Sequence, residues 1–370
     1  MKLYEALGMK TIINGLGTVT AIGGSKMHPE VLSAMNEAAG AFVDMGIFHA
    51  RAGDRIAELL GGEAACITSG AAAGLAIAAA ACMTRGDIGK TLQLPDTTGM
   101  PNEILLLKCH RILYDQALLL SGAKLREIGV TSSAKLEQIE AAISEKTAMF
   151  FYAAEAERMR GSIALPEIVQ VLTKYSIPIV VDAAAELPPK SNVTKYLEQG
   201  ADLVIFSGGK ELRGPQSSGI ILGSKQLIEY CKANNYPNYS IGRSMKLDKE
   251  TIAGITKAVE LFVAKDYIKI MERWERMVSQ MITAFSHISG TTVRRGFPVE
   301  PGVQPVEIPR VYMKSVNVSA KYLQDQLKSL TPSIYVDVQG EEIVINPQCL
   351  EDDEVSIVIE AIRNLFVGRL

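Results

Sequence analysis

The sequence is expected to fold as an α/β protein, a mostly parallel helix-covered sheet followed by a smaller C-terminal α+β domain. Two observations carry that expectation. Between Ala64 and Leu222, short near-continuous apolar runs alternate with helix-like segments. Strands buried on both faces of a parallel sheet read that way. After Gly242 the pattern changes to a long helix-rich stretch, then to strand-like runs separated by turns. The totals agree. The chain has 370 residues, 48% of them hydrophobic, and a formal charge of −3. That is ample for a large core and for more than one ordinary domain. The boundaries expected are an N-terminal arm and helix (1–45), a large domain (46–246), and a connecting helix with a small domain (247–370).

In order along the chain, Thr11 to Ser25 is too glycine-punctuated for regular structure throughout. It suits either a loop where backbone approaches a ligand or an arm at a subunit contact. Pro29 to Ala39 and Asp54 to Leu60 read as helices. Ala64 to Thr68 reads as a strand, and Ser69-Gly70-Ala71 opens an Ala-rich helix reaching Met83. A strand, a Ser-Gly turn and a helix aim backbone N–H groups at an anion; the same pattern also describes Ser69 as an ordinary cap. Strands are expected at Thr91–Leu94, Ile104–Lys108, Lys124–Ile128, Ala148–Tyr152, Ile177–Val181, Leu203–Phe206 and Ile220–Leu222. Helices are expected at Arg111–Ser121, Ser133–Ile143, Leu165–Tyr175 and Val193–Gln199. Beyond Gly242, Lys249 to His287 is helix-rich, Thr291 to Lys314 strand-like, and Ala320–Leu330 and Asp352–Phe366 helical. Two strands flank the Gln339-Gly340 turn.

Composition excludes several classes. A slightly acidic chain without a basic run does not offer a nucleic-acid surface. The longest apolar block, Ala71 to Met83, is too short to span a membrane, and the N-terminus lacks a signal-peptide pattern. Five scattered cysteines without C-x-x-C spacing fit reduced thiols in a cytoplasmic protein. The four histidines are not at metal-ligand spacing, so no metal is expected. Gly15-Leu16-Gly17 lacks the third glycine of a dinucleotide fingerprint, and Gly209-Lys210 lacks the other parts of a phosphate loop.

What remains centres on Lys210. It sits in the turn Ser207-Gly-Gly-Lys210 between two apolar runs, a placement suited to an amine that must reach a carbonyl compound and form a Schiff base. Asp182 ends the strand before it and is followed by three alanines. A lysine, a carboxylate, an anion nest at Ser69, Gly70 and Ala71, and a hydroxyl at Ser207 are the parts a pyridoxal 5'-phosphate site needs. His110, just past a strand, is a candidate to stack on the cofactor ring; as a helix-start or core histidine it would have no such role. Asp182 could equally cap the next element.

Three stretches carry a resemblance. Val181-Asp-Ala-Ala-Ala-Glu-Leu-Pro-Pro189, Phe206-Ser-Gly-Gly-Lys-Glu-Leu-Arg-Gly-Pro-Gln-Ser-Ser-Gly219 and Ile241-Gly-Arg-Ser-Met-Lys-Leu-Asp-Lys249 resemble the aspartate-aminotransferase-like (fold type I) pyridoxal phosphate enzymes. Within these, the chain is similar to the group related to selenocysteine synthase, and most of all to its D-glucosaminate-6-phosphate ammonia-lyase branch. Asn14-Gly-Leu-Gly-Thr18 and Thr68-Ser-Gly-Ala-Ala-Ala73 fit the same group. The resemblance implies that Lys210 holds the cofactor, that Asp182 pairs with the ring nitrogen, and that Ser69, Gly70, Ala71 and Ser207 hold its phosphate. It implies that Arg243 reaches an active site, that of a neighbouring subunit if the protein is at least a dimer. The implied reaction is elimination of water and deamination of a small anionic amino acid or amino-sugar acid, giving a 2-keto acid and ammonia. Selenium transfer onto seryl-tRNA, or a transaminase or aldolase reaction, are the alternatives. The resemblance begins near residue 10, without the tRNA-gripping region of selenocysteine synthase, so a small molecule is expected in place of a nucleic acid. Asn14, Thr18, Arg51 and Arg213 are substrate candidates, with Arg55 and Arg243 as further anion-binding arginines. Glu186 is a candidate to help a proton reach the leaving hydroxyl, or else a helix-start carboxylate.

Overall fold

Seven strands build the sheet of the larger of two units in the computed structural model, which describes residues 2–366. In chain order they are β1 (Ala64–Thr68), β2 (Glu103–Leu107), β3 (Lys124–Ile128), β4 (Thr147–Ala153), β5 (Ile179–Asp182), β6 (Leu203–Ser207) and β7 (Gly219–Gly223). Their spatial order is β1-β7-β6-β5-β4-β2-β3. β2 to β6 are parallel, and β7 is antiparallel to both of its neighbours. Every residue of β1, β4, β5 and β7 is buried, as a sheet covered on both faces requires.

The covering helices follow from composition. Ala71–Thr84 is buried without a break from Gly74 to Thr84 and packs on β4, β6 and β7. A helix apolar on every face belongs in a core, and its small residues permit a close approach. A Cβ on Gly74 would stand 3.0 Å from Ile205 Cγ2. Met45–Leu60 starts earlier than expected because the Asp44 carboxylate accepts the Ile47 N–H at 2.9 Å; it ends at Gly61, whose φ of 73° needs no Cβ. Lys249–Ala264 packs on Pro29–Ala39 and Met45–Leu60.

The larger unit comprises residues 27–265 and 300–304, the smaller one residues 1–26, 266–299 and 305–370. These bounds differ from those read in the sequence. The Lys249–Ala264 helix packs within the larger unit, while Ile12–Asn14 pairs in parallel with Ser333–Tyr335 in the smaller one. The smaller unit also holds an antiparallel sheet in the order Asp337–Gln339, Glu342–Ile345, Arg310–Ser315, Thr291–Gly296. Its core includes Trp274 and residues of the helices Tyr267–Ser286, Ala320–Ser329 and Asp352–Phe366.

Two local expectations are corrected. Thr91–Leu94 is not a strand; it lies at the end of the helix Ile88–Gln93, which Asp87 caps by accepting the Lys90 N–H at 3.0 Å. Arg111–Ser121 is not one helix. Asp115 accepts the Ile112 N–H at 3.2 Å and pairs with Arg111, which folds this segment into turns before the single helical turn Gln116–Leu119. A helix at Lys225–Asn234 was not anticipated.

Close helix–strand packing gives a first test. A Cβ on Gly53 would lie 2.5 Å from the Ala65 carbonyl oxygen in β1. Gly53→Ala is therefore expected to lower unfolding free energy by about 1–3 kcal/mol in denaturant titration, against helix propensity, which alone would favour alanine. An unchanged midpoint would show that the helix can move off the strand freely.

Candidate functional site

Parallel neighbours end at the same edge of a sheet, so β4, β5 and β6 deliver their carboxyl ends together. Ala153 lies opposite Asp182, and Asp182 opposite Ile205. β6 runs on into the Gly208-Gly209-Lys210 turn. That turn is fixed by the Gly208 N–H donating to Ser218 O at 2.8 Å, Gly214 N–H to Gly208 O at 2.8 Å, and Arg213 N–H to Lys210 O at 2.9 Å. A Cβ on Gly208 would stand 2.6 Å from Ile255 Cδ1, and one on Gly209 2.6 Å from Gln216 Cα. The glycines before Lys210 are thus demanded by packing, and Lys210 is no loose surface residue.

Burial dominates the electrostatics there. Desolvation pushes the Asp182 carboxyl up; the Ala184 N–H, donating to Oδ1 at 3.0 Å, and the Lys210 charge oppose it. Desolvation pulls the Lys210 amine down, opposed in order by Asp182, Glu155 and Glu186. Glu155 is raised by burial and by Asp182, with Lys210 countering. Glu186 is pushed up to about 7 by burial, against Lys195 and the hydrogen bond from the Tyr196 hydroxyl at 3.3 Å. Asp182 ends β5 and Lys210 follows β6, its parallel neighbour, and each charge acts on the other. Glu155 was missed, although an acid two residues beyond a nearly all-apolar strand is a legible signal. Tyr196 left none.

The turn read from the sequence as an anion nest lies on the same sheet end. Gly219 of β7 stands between Ser207 of β6 and Thr68 of β1. Next come Ser69 and Gly70, the latter at φ 113° as the residue before the Ala71–Thr84 helix. A Cβ on Gly70 would meet nothing within 4 Å, whereas one on Gly219 would collide with the Gly70 carbonyl carbon at 2.5 Å. Glycine at 219 lets the turn sit against the sheet, and space is open beside Gly70. The Thr68 hydroxyl donates to Gly70 O at 2.9 Å and holds the turn.

The other expected residues each have their own local surroundings. His110 is fully buried. Its Nδ1 accepts the Ala153 N–H at 3.1 Å, its Nε2 is 2.8 Å from Ser162 Oγ, and its ring meets Tyr152 edge-on with centroids 4.4 Å apart. The ring is enclosed by protein on all sides and braces β4. Arg243 is exposed, 5.4 Å over the Tyr236 ring, in a surface cleft with Thr91, Leu92 and Tyr239. Arg51 is exposed on the Met45–Leu60 helix. Arg55 pairs with Glu58 at 2.8 Å and Glu260 at 3.6 Å. Arg213, at φ 54°, closes the Lys210 turn, and its charge falls on His28 and Lys265. Asn14 and Thr18 belong to the smaller unit. There the Asn14 side chain accepts the Leu16 N–H at 2.9 Å and donates to Gly17 O at 2.8 Å, organising its own turn. Among the described residues no cluster of three or more His, Cys, Asp or Glu is arranged to hold a metal ion, and no helix is long and apolar enough to cross a membrane.

Known proteins resemble this arrangement. The family model described as L-seryl-tRNA selenium transferase matches residues 12–351. A D-glucosaminate-6-phosphate ammonia lyase of Salmonella typhimurium is 37% identical over 263 residues, covering 70% of this chain and 69% of that protein. A 5'-C-glycyluridine monooxygenase-decarboxylase of a Streptomyces species is 31% identical over 376 residues, covering 98% of this chain and 92% of that protein. A solved D-glucosaminate-6-phosphate ammonia-lyase superposes with a TM-score of 0.85 at 29% identity, over 98% of this chain and 97% of that one.

The bracing role of His110 is testable. Burial pulls its imidazole down to about 4, and an Nδ1 that already accepts a backbone N–H leaves the proton on Nε2. Its ring resonances are expected to stay those of the Nε2–H tautomer from pH 8 to 5.5. A titration centred near the ordinary histidine value of about 6.5 would contradict this.

Proposed function

The chain belongs to the L-seryl-tRNA selenium transferase family, and from that premise we propose that it is a pyridoxal phosphate-dependent ammonia-lyase acting on a small anionic amino-sugar acid or amino acid, D-glucosaminate 6-phosphate foremost. The observation that carries this reading is the desolvated Lys210 amine coupled to the buried Asp182 carboxylate at neighbouring parallel strand ends.

The residues present fit the cofactor. Oδ1 of Asp182 is occupied by Ala184 N–H, and among the described residues nothing donates to Oδ2, which suits a protonated ring nitrogen. Ala183 and Ala184 leave room beside it. The open turn at Ser69, Gly70 and Ala71, with Ser207, suits a phosphate. When bound, pyridoxal phosphate provides an electron sink for charge developing at the substrate Cα. Asp182 would keep the ring nitrogen protonated. Lys210, displaced by the substrate amine, would be a positioned base for the Cα proton; its desolvation favours the neutral form that such a base requires. The β-hydroxyl leaves as water, and hydrolysis of the resulting imine yields the 2-keto acid and ammonia.

The finer points of this reading are a homo-oligomer of at least two chains, in which the exposed Arg243 serves a neighbour's site, and residence in the cytoplasm. The Streptomyces relative supports a second chemistry, because it matches nearly the whole chain: oxygen-dependent decarboxylation of an amino acid.

Purified protein is expected to show a visible absorption band that borohydride bleaches, fixing the cofactor on the Lys210 peptide. Lys210→Ala should take up no cofactor covalently; normal turnover by that variant would refute the assignment. Asp182→Asn should still capture cofactor but lose about two to three orders of magnitude in turnover, the scale of leaving a buried charge unpaired. Gly219→Ala, which pushes on the Gly70 carbonyl, should weaken cofactor uptake. A screen of amino acids and amino-sugar acids, with and without phosphate, separates the reactions. Ammonia with 2-keto acid supports the lyase, keto acid without ammonia indicates transamination, and oxygen uptake with carbon dioxide release supports the second chemistry. A rate that depends on tRNA would instead indicate selenium transfer.

A further inference from the structure

One face of the Lys249–Ala264 helix runs along the Lys210 turn. A Cβ on Gly214 would stand 2.9 Å from Ile255 Cδ1 and 3.2 Å from Ala258 Cβ, and one on Gly254 would stand 2.7 Å from Pro215 Cγ. Residues 254, 258 and 262 recur at helical spacing on that face, and Ile255, Ala258 and Phe262 are fully buried. These contacts are apolar. They set how closely the turn approaches the helix, but they do not direct it.

Lys265, the residue that closes this helix, adds a polar contact. Its Nζ lies 3.4 Å from Glu211 Oε1 and 3.4 Å from the Glu211 carbonyl oxygen. The two side chains are 14% and 7% exposed, and Glu211 is bonded directly to Lys210. The helix end fixes the clamp itself, because the Lys265 N–H donates to Phe262 O at 3.2 Å and Nζ lies 5.9 Å from the centre of the Phe262 ring. Burying a lysine and a carboxylate is costly unless they meet. Here one amine holds both the side chain and the backbone of the residue next to Lys210.

We propose that Lys265 is a positioning residue for Lys210, acting through Glu211. The inference rests on the reading of Lys210 as the cofactor-linked amine. The Gly214 N–H to Gly208 O and Arg213 N–H to Lys210 O hydrogen bonds tie residues 208 to 214 into one turn, so a hold on Glu211 is a hold on the Lys210 backbone. A flexible lysine stem delivers its amine to one place only when its Cα is fixed. A role in stability alone has a different signature. Removing one member of a buried ion pair destabilises, whereas replacing both by apolar residues is often neutral or stabilising. Lys265→Met/Glu211→Leu therefore restores stability, yet it has no donor for the carbonyl at position 211, so the loss of position remains.

The test compares wild type, Lys265→Met, Lys265→Arg and Lys265→Met/Glu211→Leu in three measurements. These are denaturant unfolding, amide hydrogen exchange of the turn, and the rate at which added pyridoxal 5'-phosphate develops its visible band and is fixed on Lys210 by borohydride. Lys265→Met should lower the unfolding midpoint and lose exchange protection at the Gly208, Arg213 and Gly214 amides. Its band should develop about ten- to a hundredfold more slowly, the scale of misplacing a reacting group by about 1 Å. Lys265→Arg, which keeps a charged donor, should regain protection and most of the rate. The double variant should regain the midpoint but neither protection nor rate. A double variant with wild-type protection and rate overturns the proposal, and so does Lys265→Met with unchanged exchange or an unchanged rate. If Lys265→Met does not fold, the double variant decides. A wild type that develops no band on Lys210 defeats the cofactor reading instead, and the exchange pattern then decides by itself whether Lys265 holds the turn.

Discussion

Desolvation of charge at one edge of the central sheet is the constraint on which the site depends. Moving an ion from water into a protein interior costs several kcal/mol even after relaxation. The Asp182 carboxyl and the Lys210 amine are both displaced toward their neutral forms by burial before any partner acts. A chain can tolerate this only where the backbone is held rigidly enough that the groups cannot swing to water. Here the rigidity comes from β4, β5 and β6, parallel, completely or nearly completely buried, and paired in register at the positions that carry the site. The usual consequence of such an arrangement is reactivity: an amine kept neutral is a nucleophile and a base.

The one antiparallel strand inserted beside these parallel strands does specific work. β7 returns the chain from the Lys210 turn and places Gly219 between Ser207 and Thr68. Any side chain at that position would press on the Gly70 carbonyl. The turn that carries Lys210 and the turn that opens the Ala71–Thr84 helix are therefore tied through a single glycine. That tie couples the Lys210 turn to the Ser69-Gly70 turn mechanically, though the two are far apart in sequence.

The parts legible in the sequence were those encoded over short windows. Strands β1, β2 and β4 to β7 announce themselves by nearly unbroken apolar runs, and the glycines before Lys210 by their density. What was misread was decided by side chains acting on the backbone. Thr91-Leu-Gln-Leu94 alternates like a strand, but Asp87 caps a helix through it. Arg111 to Ser121 has helical composition, but Asp115 folds its start into a turn. The pairing of Ile12–Asn14 with Ser333–Tyr335 spans almost the whole chain and has no local signal at all. His110 was placed correctly after its strand. Its role was not legible, because only the structure shows both ring nitrogens engaged and the ring turned edge-on to Tyr152.

Charge counting around Lys210 explains why the site carries more acid than the cofactor needs. Asp182, Glu155 and Glu186 all act on one amine, and burial raises all three carboxyls. Two buried carboxyls and the half-buried Glu155 against one ammonium favour keeping protons on part of the set. A ring nitrogen that arrives protonated would let Asp182 ionise at little cost and leave the remaining protons to Glu155 and Glu186.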